Sequence, residues 1–176
     1  MNRWDSKGLF TSPKMSTQLG APTAVLRSHE ELFAYWATLR RRGRLPSRSD
    51  IDPARIKRHL PLVTLTTVIG PPRDYRLRLA GPELWGVYGG EITGRRLCDI
   101  YSAGAADYWR GELDRVVAEQ RPGVGHHNLA WRGAAHVSLI WLRLPLSSDG
   151  RDVDLILGYD AVLTPRREVA SGVRAA

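Results

Sequence analysis

Apolar side chains recur at helical spacing just before position 40: Leu32, Tyr35, Trp36 and Leu39 fall on one face. Ser28 followed by Glu31 is a capping-box pattern, which predicts that the helix begins there. Arg40, Arg41 and Arg42 suit the negative end of its dipole, and Gly43 stops it. After the Leu45-Pro46 turn, Asp52-Pro53 reads as N-cap and first position of a short helix that Pro61 ends. The periodicity then changes. Leu62–Ile69 is rich in β-branched residues, residues 70–74 (Gly-Pro-Pro-Arg-Asp) form a turn, and Tyr75–Leu79 alternates with period two, which predicts an antiparallel hairpin.

Gly81, Gly86, Gly89, Gly90 and Gly94 break the next segment, Pro82–Tyr101, into short helical turns separated by bends. Ala105–Gln120 carries Tyr108, Trp109, Leu113, Val116 and Val117 at helical spacing and closes at Pro122-Gly123. Three strand-like runs follow: Val124–Trp131, Ala135–Leu146 and Val153–Ala161. The last two are apolar on both faces. In the first of these, Val137, Leu139 and Trp141 oppose Ile140, Leu142 and Leu144; in the other, Leu155 and Leu157 oppose Ile156. Such strands must be covered on both sides. The expectation is an α+β fold: a five-stranded antiparallel sheet with short helices on one face and the N-terminal amphipathic helix on the other. One domain spans 28–162, between a flexible arm at 1–27, within which Met15 is an alternative start to Met1, and a loose tail at 163–176.

The 176-residue length suits a single core of that kind. Cys98 is the only cysteine, which excludes an intrachain disulfide and a thiolate zinc site. With neither a signal-peptide pattern nor a membrane-length apolar run, the expected location is the cytoplasm. The net charge of +8 is uneven: eight basic residues from Arg40 to Arg58 face only Asp50 and Asp52. That patch suits nucleic acid, acidic lipid or an acidic protein face, or is simply a solvated helix end.

The order of elements is similar to that of PAS domains, in which a five-stranded sheet cups a pocket under short helices. At residue level the chain resembles a PAS-like family common in alphaproteobacteria. The residues that carry the likeness are Tyr35-Trp36, Leu45-Pro46, Asp50-Ile51-Asp52-Pro53, Tyr75-Arg76-Leu77-Arg78-Leu79-Ala80-Gly81, Ile92-Thr93-Gly94-Arg95-Arg96-Leu97 and Asp99-Ile100-Tyr101, within about residues 29–162. The resemblance implies a sensory role, with no agreed ligand or cofactor and no catalytic residue to carry over. The surroundings of Cys98 lack the Asn and Gln setting expected of flavin-binding light sensors.

The candidate ligand-binding residues are Trp85, Tyr88 and Tyr101 on the glycine-broken segment, with Trp109, Trp131 and Trp141. Core packing is the competing role for each. Leu32, Tyr35, Trp36 and Leu39 are the candidate partner or homodimer face. His126, His127 and His136 are the nearest approach to a metal or haem set, but His126 and His127 are adjacent on a strand and point to opposite faces. Nothing resembles a Ser or Cys nucleophile setting or a phosphate loop. The sequence therefore reads as a non-enzymatic PAS-type sensory domain that binds a small molecule or a signalling protein. The alternatives are a nucleic-acid-associated regulator using Arg40–Arg58, or a metal or haem protein through His126 and His136.

Overall fold

A computed structural model describes residues 23–41 and 43–163; the side chains of Thr23, Ala24, Ala135 and His136 lie outside that description. So do residues 1–22 of the expected arm and 164–176 of the tail.

The N-terminal helix, α1, spans Thr23–Leu39. It starts before Ser28, so Ser28 and Glu31 lie inside it and residues 23–27 do not belong to an arm. Tertiary packing overrides the capping signal: Val25 packs on the core and His29 is fully buried one turn later. Glu31 is used instead in an ion pair with Arg58. Three one-turn helices follow, Arg48–Asp50, Pro53–Ile56 and Leu60–Leu62. In the second, the Asp52 carboxylate accepts from Ala54 N at 2.9 Å, as a cap should.

The chain then runs β1 (Val63–Ile69), β2 (Asp74–Ala80), α2 (Leu84–Tyr88), α3 (Leu97–Ile100), α4 (Ala103–Glu119), β3 (Gly123–Leu129), β4 (Ala134–Leu146) and β5 (Leu155–Leu163). All neighbouring strands pair antiparallel in the order β2-β1-β5-β4-β3. The α+β fold expected from the periodicities is the one observed. Residues at paired positions share a face. One face carries Thr64, Thr66, Tyr75, Leu77, Gly158, Asp160, Trp141, Arg143, Gly125 and His127; the other carries Val63, Leu65, Leu157, Tyr159, Ile140, Leu142 and Leu144.

The second set forms the outer face, and α1 covers it. Leu32, Phe33 and Trp36 are buried there, Trp36 being 2% exposed. Trp36 Nε1 donates to Pro145 O at 2.9 Å, so the indole is buried without an unmade hydrogen bond. His29 lies edge-on to Tyr159. The helices α2, α3 and α4 cover the inner face.

Candidate functional site

Two strand residues place opposite charges in the middle of the inner face. Trp141 pairs with Asp160, and Arg143 lies two residues further along β4, so both charged side chains project toward α4. Arg143 is 4% exposed and Asp160 0%. Arg143 Nη1 donates to Asp160 Oδ1 at 2.7 Å and to Leu142 O at 3.0 Å. The guanidinium carbon lies 4.7 Å from the Trp109 ring centroid and 5.7 Å from that of Trp141, so the ring faces stabilise the cation. Burial, the largest single influence, would weaken the Arg143 proton, but the Asp160 charge, its hydrogen bond and the nearby Tyr88 and Tyr101 together outweigh it and hold the guanidinium above its usual range.

The backbone is shaped to admit this group. A Cβ at Gly158 would lie 2.1 Å from Thr64 Oγ1 and 2.9 Å from Arg143 Nη1. At Gly125 it would lie 2.6 Å from the Trp141 indole. Both glycines are required by close approach rather than by a turn.

The glycine-broken segment closes over the pair. Tyr88, at the end of α2, donates its hydroxyl to Asp160 Oδ2 at 3.4 Å, and Tyr101, just past α3, donates to Tyr88 Oη at 3.2 Å. Burial first, and the Asp160 charge second, push both phenols up, so each stays a hydroxyl. Gly89 caps α2 with φ of 77°, a conformation that favours glycine. Outside, Arg132 Nη1 donates to Val87 O at 2.8 Å, tying α2 to the β3–β4 connection.

Five of the six proposed ligand-binding residues meet here. Tyr88 and Tyr101 contact each other and Trp131, Tyr101 also contacts Trp109, and Trp109 contacts Trp141. Trp85 does not join them: it is 48% exposed. On the short helix α2, Leu84 and Tyr88, four residues apart, are the buried pair, which turns Trp85 away from the sheet. Sequence reasoning missed the ion pair itself. Its signal was a single charge inside each of two otherwise apolar strands, Arg143 in Leu139–Leu146 and Asp160 in Leu155–Leu163.

The remaining cavity, lined by Thr64, Thr66, Tyr88, Tyr101, Trp109 and the ion pair, has a volume of about 10 Å³. That is room for roughly one water. The indole N–H of Trp109, which lines it, and, outside its lining, the indole N–H of Trp131 and Nε2 of His127 are buried without a hydrogen-bond partner among the described residues.

His126 and His127 separate as their strand positions require. His126 is exposed, whereas His127 stacks on Tyr108 with centroids 4.3 Å apart, and burial lowers its basicity. The described residues contain no group of three potential metal ligands, and the His136 side chain lies outside them. Of the proposed partner face, Leu32 and Trp36 are buried on the chain's own sheet, while Tyr35 and Leu39 are half-buried. In the basic stretch, Arg58 pairs with Glu31, Arg44 donates to Asp149 O at 2.6 Å, and Arg55 lies over the Tyr35 ring. Among the described residues no helix is long and apolar enough to cross a membrane.

Residues 25–161 match the family model PAS_5, described as a PAS domain, and the chain belongs to that family. Solved structures of similar fold include a PAS domain from Colwellia psychrerythraea, with 12% identity, 64% of this chain and 98% of that one covered, and a TM-score of 0.48. A domain of an HTR-like protein from Haloarcula marismortui has 14% identity, coverage of 58% and 96%, and a TM-score of 0.45. A sensory box sensor histidine kinase from Vibrio cholerae has 13% identity, coverage of 58% and 79%, and a TM-score of 0.42. No curated protein matches the chain.

Proposed function

We propose that this PAS domain senses a small polar molecule at the inner face of its sheet and passes occupancy to a partner protein through the α2–α3 segment, without catalysing a reaction. One observation carries the reading: Tyr88 and Tyr101, both on that segment, close by hydrogen bonds on the buried Arg143–Asp160 pair of the sheet. A molecule that engages Asp160 where Tyr88 does displaces that hydroxyl, and the Tyr88–Tyr101 pair is carried by the segment. Ligand occupancy and segment position are then one equilibrium. Small-molecule sites usually have volumes of about 300–1,000 Å³. The inner cavity of about 10 Å³ is far smaller, so on this reading a ligand larger than a water enters only as the segment shifts away from the sheet. The unpartnered N–H groups of Trp109 and Trp131 supply further donors once the segment moves.

Native mass spectrometry of protein purified from its own host tests this. The expected result is a fraction carrying the added mass of one small molecule, lost in Tyr101→Ala and in Arg143→Met while both variants stay folded by circular dichroism. A bare polypeptide mass in every preparation would remove the small-molecule step and leave signalling by protein contact alone.

A further inference from the structure

A separate cavity opens at the surface where α1 passes the turn between α4 and β3, with a volume of about 360 Å³. Its floor is the buried pair Phe33 and Trp36, and its mouth is formed by the exposed residues Ala34, Ala37, Arg40 and Arg121. The two alanines, one turn apart, create the hollow, because a longer side chain at either position would fill it. The volume is that of a small-molecule site, and the lining has the usual composition of one: apolar, with a few polar groups placed together.

Those polar groups are both guanidinium ions. Arg40 lies over the Trp36 ring with its central carbon 5.3 Å from the centroid, and its Nη2 donates to Gly43 O at 3.3 Å. A guanidinium carries five N–H donors, so this contact leaves others for a carboxylate. Glu30 stands one turn before Ala34 on the same side of α1, so the groove is positive at the Arg40 end only.

We infer that this groove binds a small amphipathic carboxylate, with its chain on Phe33 and Trp36 between the alanines and its carboxylate on Arg40 and Arg121. The charge selects an anion, and the apolar floor selects one with a hydrocarbon body. The site is independent of the inner face, so its occupancy does not depend on the Arg143–Asp160 pair.

Decanoate titrated into the full-length ¹⁵N-labelled chain tests the assignment. Saturable amide shifts centred on residues 33–40 and 121 are expected, with a submillimolar dissociation constant. Decanol should bind at least about tenfold more weakly, the worth of one charge-assisted hydrogen bond. Ala37→Trp should abolish binding by filling the groove. The double variant Arg40→Gln/Arg121→Gln should weaken decanoate by at least about tenfold and leave decanol unchanged. Each altered residue is exposed, and thermal melts confirm folding before titration. The double variant Arg143→Met/Asp160→Leu, which replaces the inner ion pair by apolar residues, should bind decanoate as the wild type does. Absence of saturable shifts, equal affinity for decanol, or binding indifferent to Ala37→Trp would each overturn the proposal.

Discussion

On the face covered by α1, Trp36 and His29 enter the interior singly and end on backbone carbonyls, while the buried His59 beside Tyr159 meets Glu31 of α1. Trp36 Nε1 reaches Pro145 O, and the His29 ring sits between Val25 O at 2.8 Å and Ile140 O at 3.2 Å. On the face covered by α2–α4 a full ion pair is buried, two tyrosines are committed to it, and two indole N–H groups have no partner among the described residues. The first face is what a stable sheet needs. The second holds a charged group in each of two central strands, an arrangement that apolar residues of similar volume often replace with no loss of stability. The contrast sets the face whose burial stabilises the sheet against the face that carries the proposed sensing site.

The largest way to break the comparison is at the outer face. Trp36→Ala should cost about 3–5 kcal/mol, as deletion of a buried aromatic does, read from urea unfolding. The loss should be the same at all protein concentrations, because Trp36 is buried by its own sheet. A midpoint that falls on dilution in the wild type and not in the variant would instead make α1 a homodimer face.

A smaller effect sharpens the comparison on the inner face. Gly125→Ala places a methyl group against the rigid Trp141 indole. It should cost about 1–3 kcal/mol by overpacking and displace Trp141 in near-ultraviolet circular dichroism. Gly111→Ala is the control, since a Cβ there meets nothing within 4 Å.

Much of the fold was legible before the structure because periodicity reports which faces are covered. The two-faced strands around Trp141 and Leu157 required layers on both sides, and both layers are present. Helix starts were less legible. The Ser28 capping pattern is local, whereas the burial of Val25 and His29 that carries α1 back to Thr23 depends on a sheet far away in sequence. The site was half legible: aromatic residues on a glycine-broken segment suggested a cluster, but not that Trp85 would leave it or that Arg143 would meet Asp160. Strand register decides the pairing of those two charges, and no single strand states its register.

The smallest effect expected is a pH dependence centred on His29. Burial lowers its pKa below 6.5, against the two carbonyls that favour the charged form. The unfolded chain therefore takes up this proton near pH 6.5 while the folded chain refuses it. Stability is fully present above that pH and is lost as pH falls toward the folded value, by at most about 1.4 kcal/mol per pH unit from this group. Urea midpoints at pH 7.5 and 5.5 should show the decrease in the wild type and a smaller one in His29→Gln.

The claim that the inner ion pair serves sensing rather than stability is tested most directly by a double-mutant cycle on Arg143→Met and Asp160→Leu, followed by urea unfolding. Each single change leaves one charge buried without its partner and should cost about 3–5 kcal/mol. The double variant, with an apolar pair of similar volume, should recover to wild-type stability or exceed it. A double variant as unstable as the sum of the singles would show that the pair is part of the scaffold, and the division between the two faces of the sheet would fail.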